Sequence, residues 1–330
     1  MRSNESGRVR IDLRDRGILI ALVLLAVVLA LINHDFRKPV NMLNILREAS
    51  FEGTAAVGMT LCIISGAFDL SIGSLLALLG MVTIGEMHAL GLAPTILAIL
   101  VLGFAAGSLN GILVSYLRIP AFITTLGMMY VYKALAQIYH GGVPQVATNA
   151  IFTKIGSGLF LGVPIPFIVF ATCAVIGTVI LRRTPLGRYI QAIGNSEKAS
   201  LVAGVKLNRT RIITFGLVGL ATAIAAILIS SRMWSANSTM KSGNGGYEFN
   251  VIAAVVLGGT SLAGGKGSIF NTVVAAVFIA VLKNGMNLLR IEPYWQYVVT
   301  GIILLIAFSM NGLRAMLGRI LPFRDTQRVI

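Results

Sequence analysis

Long apolar runs, broken by short polar connections that hold most of the charge, set the pattern of this chain. A helix needs about 20 apolar residues to cross the hydrocarbon of a bilayer. The runs at 18–33, 49–65, 70–88, 93–116, 121–139, 164–182, 212–232, 250–264, 269–289 and 295–313 reach or approach that length. The pattern predicts an all-α polytopic membrane protein of about ten transmembrane helices, forming one transmembrane domain over 1–330. The run at 250–264 is short and enters Gly258, Gly259, Gly264 and Gly265, so it reads as a helix broken at a Gly-rich segment or as a full crossing. Small-residue clusters such as Gly103-Phe104-Ala105-Ala106-Gly107 read as close helix packing.

Composition agrees. The chain is 56% hydrophobic and 12% charged, against about 25% charge in soluble proteins. Lipid must therefore be the solvent for much of the surface. The net charge of +15 would suit nucleic acid, but the basic residues lie in short loops and no soluble domain is left to hold a phosphate-binding face. With the N-terminus inside, 18 Lys and Arg fall in inner segments and 8 in outer ones. That bias predicts an N-in, C-in topology with cytoplasmic segments at 1–17, 183–211 and 314–330. The basic start followed by the run from Ile18 to Ile32 offers no small-x-small cleavage site, so it reads as a retained first helix.

Several chemistries are excluded. The two cysteines, Cys62 and Cys173, lie in apolar runs and cannot build a disulfide scaffold, a zinc site or a CxxC motif. His34, His88 and His140 form no metal-ligand spacing, and no catalytic constellation is seen. No phosphate-cradling G-x-x-x-x-G-K-[ST] occurs, and Gly264-Gly265-Lys266-Gly267-Ser268 lacks its spacing. Any ATP hydrolysis belongs to another subunit.

The segment 183–211 is the most informative. Ser196 is placed to cap a short helix that Gly204 ends, with Ala199, Val202 and Ala203 on one side. Such a helix suits a partner's groove; equally, a basic inner loop could lie on headgroups. Thr184, Gly187, Arg188, Ala192, Ile193, Gly194, Ala199, Ala203 and Gly204 match the pattern T-x-x-G-R-x-x-x-A-I-G-G-N-x-x-A-A-x-x-A-G-I, with departures at Asn195, Ser196 and Ser200. Three further segments, Ser65 to Ser74, Pro120 to Gly127 and Gly246 to Ser268, match G-G-x-D-L-S-V-G-S, P-x-F-I-x-T-L-G and G-Y-E-L-x-x-I-A-A-V-V-x-G-G-T-S-L-x-G-G-x-G-S. On these motifs, from about residue 40 to 310, the chain resembles bacterial ABC-importer permeases of the ribose, xylose, arabinose and galactoside type.

The resemblance implies a permease subunit in the bacterial inner membrane that moves a monosaccharide by alternating access. It implies a homodimer or a pair of permeases, a cytoplasmic ATPase that binds ATP and Mg, and a periplasmic sugar-binding protein. It also assigns 183–211 as the coupling loop, with Thr184, Gly187, Arg188, Gly194, Glu197, Ala199, Ala203 and Gly204 as its residues. This chain itself holds no cofactor, no metal and no enzyme activity on that reading.

Acids and amides in or near the spans are the remaining candidates, because charge is costly there. Asp69 reads either as the N-cap of a helix starting at Leu70 or as a broken-helix site facing the pathway. Glu48 and Glu52 lie one turn apart at the outer end of the second span. A helix N-terminus would stabilise both, or they meet the binding protein. Glu248 reads as a cap of the eighth span or an outer gate. Asn110, Asn271, Asn284 and Asn287 either line a path or join helices. Competing readings are an ion-coupled secondary transporter, which needs a midplane charge relay, a membrane enzyme, and a permease of the same superfamily for a nucleoside or branched-chain amino acid.

Overall fold

The computed structural model describes residues 17–240 and 246–320. The basic tail before Gly17, Lys241 to Gly245, and the last ten residues lie outside the described residues. The helices are α1 (Gly17–Ile32), α2 (Pro39–Ile64), α3 (Ile72–Leu90), α4 (Leu92–Tyr116), α5 (Ala121–Ile138), α6 (Ala150–Ser157), α7 (Ile165–Arg183), α8 (Pro185–Asn195), α9 (Glu197–Val202), α10 (Leu207–Met233), α11 (Tyr247–Leu257), α12 (Ile269–Leu288) and α13 (Pro293–Ile320). Five of them, α3, α4, α7, α10 and α12, are long and apolar enough to cross a bilayer. The chain is an all-α membrane protein.

Three boundaries differ most from expectation. α2 starts at Pro39, ten residues before the apolar run, because proline at the first helical position suits a helix start and the polar turns after it still pack. α11 stops at Leu257, where Gly258 and Gly259 let the chain turn, the latter at φ +82°. Eleven residues span only about 16 Å at 1.5 Å each, so the run at 250–264 is a half-length helix followed by irregular chain. α13 continues to Ile320, into the segment expected as a tail.

α2 is the buried axis. From Ala49 to Ile64 every residue except Glu52 is buried, against α7, α10, α11 and α12. A smaller apolar cluster joins Leu29 of α1 to Ile45 and Ala49 of α2 and to Ala280 and Val281 of α12. α4 and α10 pack most closely. Gly103, Gly107 and Gly111 recur at four-residue spacing and so share one face. A methyl on Gly111 would stand 2.7 Å from Ile212 Cα, and one on Gly107 2.9 Å from Gly219 N. Contact this close is the small-residue packing that the sequence predicts.

Two short antiparallel pairings tie down the connections at the end of the bundle opposite α8 and α9. β1 (Gln145–Val146) pairs with β4 (Ser235–Ala236), and β2 (Leu159–Phe160) with β3 (Val163–Pro164).

Candidate functional site

The predicted coupling residues fall on two short consecutive helices and their ends. Thr184 is the N-cap of α8: its Oγ1 accepts from Gly187 N at 3.3 Å and donates to Ile180 O at 2.6 Å. Pro185 starts the helix, and a Cβ on Gly187 would run into the carbonyls of Ile180 and Leu181. The turn from α7 into α8 therefore needs glycine for space rather than for φ. Ser196 caps α9 as the sequence predicts, its Oγ accepting from Ala199 N at 3.3 Å. Gly204 follows the helix at φ +80°. Gly204 N donates to Leu201 O and Val205 N to Ser200 O, both at 3.0 Å, which is a Schellman ending. Ala199, Val202 and Ala203 are exposed, Val202 by 90%. Arg188 is exposed, and Glu197 pairs with Arg211 of α10.

The far end of α8 is locked onto the membrane helices. The carbonyl of Ile64, at the end of α2, would lack an intrahelical partner. Gly265 N donates to it at 2.8 Å. Gly194 fits into this crossing so closely that a Cβ would collide with Ile64 O and Gly265 N. A Cβ on Gly264 would stand 2.9 Å from Gly194 Cα and 3.1 Å from Gly66 Cα. Gly66, Gly264 and Gly265 also hold φ of +83°, +86° and +79°. Three of the four sequence motifs thus meet backbone to backbone. The fourth is close by: Phe122 of α5 meets Phe68 edge-on at 6.4 Å between ring centres.

Asp69 is fully buried. The helix after it starts at Ile72 with Ser71 as N-cap, so Asp69 does not cap a helix at Leu70. Its Oδ1 accepts instead from Ser71 N at 2.8 Å and Ser71 Oγ at 2.6 Å, and its Oδ2 from Asn110 Nδ2 at 3.0 Å. Tyr132 Oη lies 2.9 Å from Ala106 O and 3.2 Å from Asn110 Oδ1, its single proton shared between the two acceptors. The network ties the α2–α3 turn to α4 and α5. Its hydrogen bonds compensate the burial of a polar cluster. Ser71 is the serine of the D-L-S motif, whereas nothing local marks Tyr132 in the sequence.

The other candidates fall elsewhere. Since α2 begins at Pro39, neither Glu48 nor Glu52 is in its first turn, and the N-terminus of α2 does not stabilise them. Glu48 is exposed. Glu52 accepts from Lys283 Nζ of α12 at 2.6 Å and from Asn250 Nδ2 of α11 at 3.3 Å. Asn284 and Asn41 exchange two amide hydrogen bonds, 2.9 and 2.7 Å, between α12 and α2. Asn284 joins helices in this arrangement. Glu248 lies in the first turn of α11, nearly buried, with its carboxylate over Gly73 of α3. Asn271 N bonds the Ser268 cap of α12, and Asn287 accepts from Gln296.

A helical membrane protein with a capped two-helix connection locked by glycines onto its membrane helices has the make-up of a permease subunit. The chain belongs to the family described as the permease component of the branched-chain amino acid transport system, whose pattern matches residues 41–308. It is 39% identical over 313 residues to the ribose import permease protein of Bacillus subtilis (strain 168), covering 93% of this chain and 96% of that one. It is 39% identical over 308 residues to the ribose import permease protein of Escherichia coli (strain K12), covering 91% and 94%. The L-arabinose transport system permease protein of the same strain is 38% identical over 299 residues, covering 88% of each. No solved structure matches.

Proposed function

We propose that this chain is the membrane-spanning permease subunit of an ATP-binding-cassette importer, carrying a monosaccharide across the bacterial inner membrane by alternating access. The observation that carries this is the similarity to ribose and arabinose permeases over about nine-tenths of the chain. The family's description names branched-chain amino acids. Likeness to sugar permeases over nearly the full length of both chains weighs more than the substrate named in a family's description. ATP and Mg are bound by a separate cytoplasmic ATPase, a periplasmic binding protein delivers the sugar, and a second permease subunit, identical or related, completes the pathway.

On this reading the chain crosses ten times, through α1, α2, α3, α4, α5, α7, α10, α11 with its irregular continuation, α12 and α13. Irregular backbone survives at membrane depth only where protein shields it. Gly258, Thr260 and Gly265 meet that condition, while Gly259, Ala263, Lys266 and Gly267 are exposed. A Cβ on Gly258 would lie 2.7 Å from Thr272 N, and one on Gly267 2.8 Å from Ile64. Both termini are then cytoplasmic. A reporter active only in the periplasm, fused after Ile330, should give no signal; strong activity there would overturn the topology.

The exposed side of α9 is the docking face for the ATPase. Nothing lies within 4 Å of a Cβ at Gly204, which is exposed, so the first atom of a Gly204→Trp side chain meets no neighbour in the isolated chain. The substitution costs about 1 kcal/mol at its positive φ. It should leave folding and insertion intact and abolish sugar-stimulated ATP hydrolysis in the reconstituted complex. Arg183→Ala, exposed at the end of α7, serves as the mild comparison. Coupling at the wild-type rate by an assembled Gly204→Trp complex would move the ATPase contact elsewhere.

A further inference from the structure

A cavity of about 830 Å³ opens between the inner ends of the membrane helices and α9. Its walls come from the α2–α3 turn, the end of α4, the α4–α5 connection, α9 and the start of α10. Four cations line it, Arg118, Lys206, Arg209 and Arg211, against one acid, Glu197, which is already paired with Arg211. Among the described residues, Arg118, Lys206 and Arg209 form no ion pair. Two helices, α5 and α10, begin at its wall without a side-chain cap, and such starts carry partial positive charge. Arg118 is held at φ +55°, a left-handed conformation uncommon outside glycine.

A second observation points to a ligand. Ser115 also lines the cavity; it is 6% exposed, and its hydroxyl has no hydrogen-bond partner. Helical serine and threonine usually bond back to the carbonyl four residues before. Thr54, Thr60, Thr83, Thr214, Thr222 and Ser230 do so here. A buried hydroxyl left unpaired is costly.

We propose that this cavity binds the headgroup phosphate of an anionic phospholipid. Phosphate offers the acceptors that a hydroxyl and three unpaired cations lack. The cavity sits where two membrane-length helices, α4 and α10, have their ends, the level at which headgroups lie. Beside it Tyr116 and Leu117 are 64% and 62% exposed, an apolar apron suited to acyl chains. A lipid held there joins α9 to the α4–α5 connection. The proposal does not depend on the transport reading.

The test titrates the purified full-length permease in detergent with phosphatidylglycerol, phosphatidylcholine or inorganic phosphate, reading bound species by native mass spectrometry. Phosphatidylglycerol should bind at least about tenfold more tightly than phosphatidylcholine. Lys206 and Arg209 are exposed, so Lys206→Gln/Arg209→Gln should fold. It should weaken phosphatidylglycerol roughly thirtyfold, each basic residue contributing about fivefold. Ser115→Ala changes no charge and should weaken it roughly fivefold. Arg183→Gln, exposed at the end of α7, should change it little. Equal losses in Arg183→Gln and the double variant would mean diffuse surface attraction and overturn the site. Unchanged binding in both the double variant and Ser115→Ala would also overturn it. Binding of inorganic phosphate with no retained phosphatidylglycerol would assign the cavity to a soluble anion and overturn the lipid.

Discussion

Gly194→Val should abolish sugar uptake while leaving the permease in the membrane. The added Cβ has nowhere to go: Ile64 O and Gly265 N are backbone atoms and cannot swing aside as a side chain would. Either α8 lifts off α2, or the Gly265–Ile64 hydrogen bond breaks. Overpacking of this kind costs about 1–3 kcal/mol, enough to populate a detached α8. On the proposed reading, a detached α8 cannot pass the motion of an ATPase to α2 and to the α11–α12 connection. Gly194→Ala should show a smaller loss, and Gly301→Ala, with open space around it, none. Uptake into proteoliposomes is the measurement, with ATP hydrolysis followed in parallel. Full uptake by Gly194→Val would show that α8 is free of α2 during transport.

Lys283→Met should destabilise the protein by roughly 2 kcal/mol, and Glu52→Gln added to it should restore most of that loss. The Glu52 and Lys283 side chains are only 13% and 27% exposed, so removing the cation leaves a carboxylate with little water to solvate it. Removing both charges removes the cause. The pair and Asn250 bind α2, α12 and α11 together, so Lys283→Met should slow uptake as well. A thermal unfolding series of the two single variants and the double decides it. Simple addition of the two single effects would mean that the ion pair contributes nothing.

The sequence shows local structure well here and long-range pairing poorly, for a physical reason. Spans, the Ser196 cap and the Gly204 ending depend on residues within a few positions of each other. The small-residue clustering on α4 is also a local pattern, and it forms the helix contact expected of it. In contrast, Glu52 and Lys283 are separated by 231 positions and Asn110 and Asp69 by 41. No periodicity links such residues. The motif glycines could be read as turns, but that Gly194 and Gly265 meet over Ile64 is a property of the packed bundle. The misplaced helix starts at Leu70 and near Glu48 have a related cause. Apolar content locates a span, while proline at the first helical position sets where α2 begins.

The glycine face of α4 also bears on how the protein is made. Its partner surface on α10, from Ile212 to Ala223, leaves the ribosome roughly a hundred residues after Gly107. At about 5–20 residues per second that is an interval of roughly 5–20 s. During it α4 must sit in the bilayer with its flattest face against lipid, while the segments from α5 to α9 are threaded past it. Premature pairing of that face with another small-residue helix is the misassembly this topology invites, and slowing translation between α4 and α10 should make it more frequent.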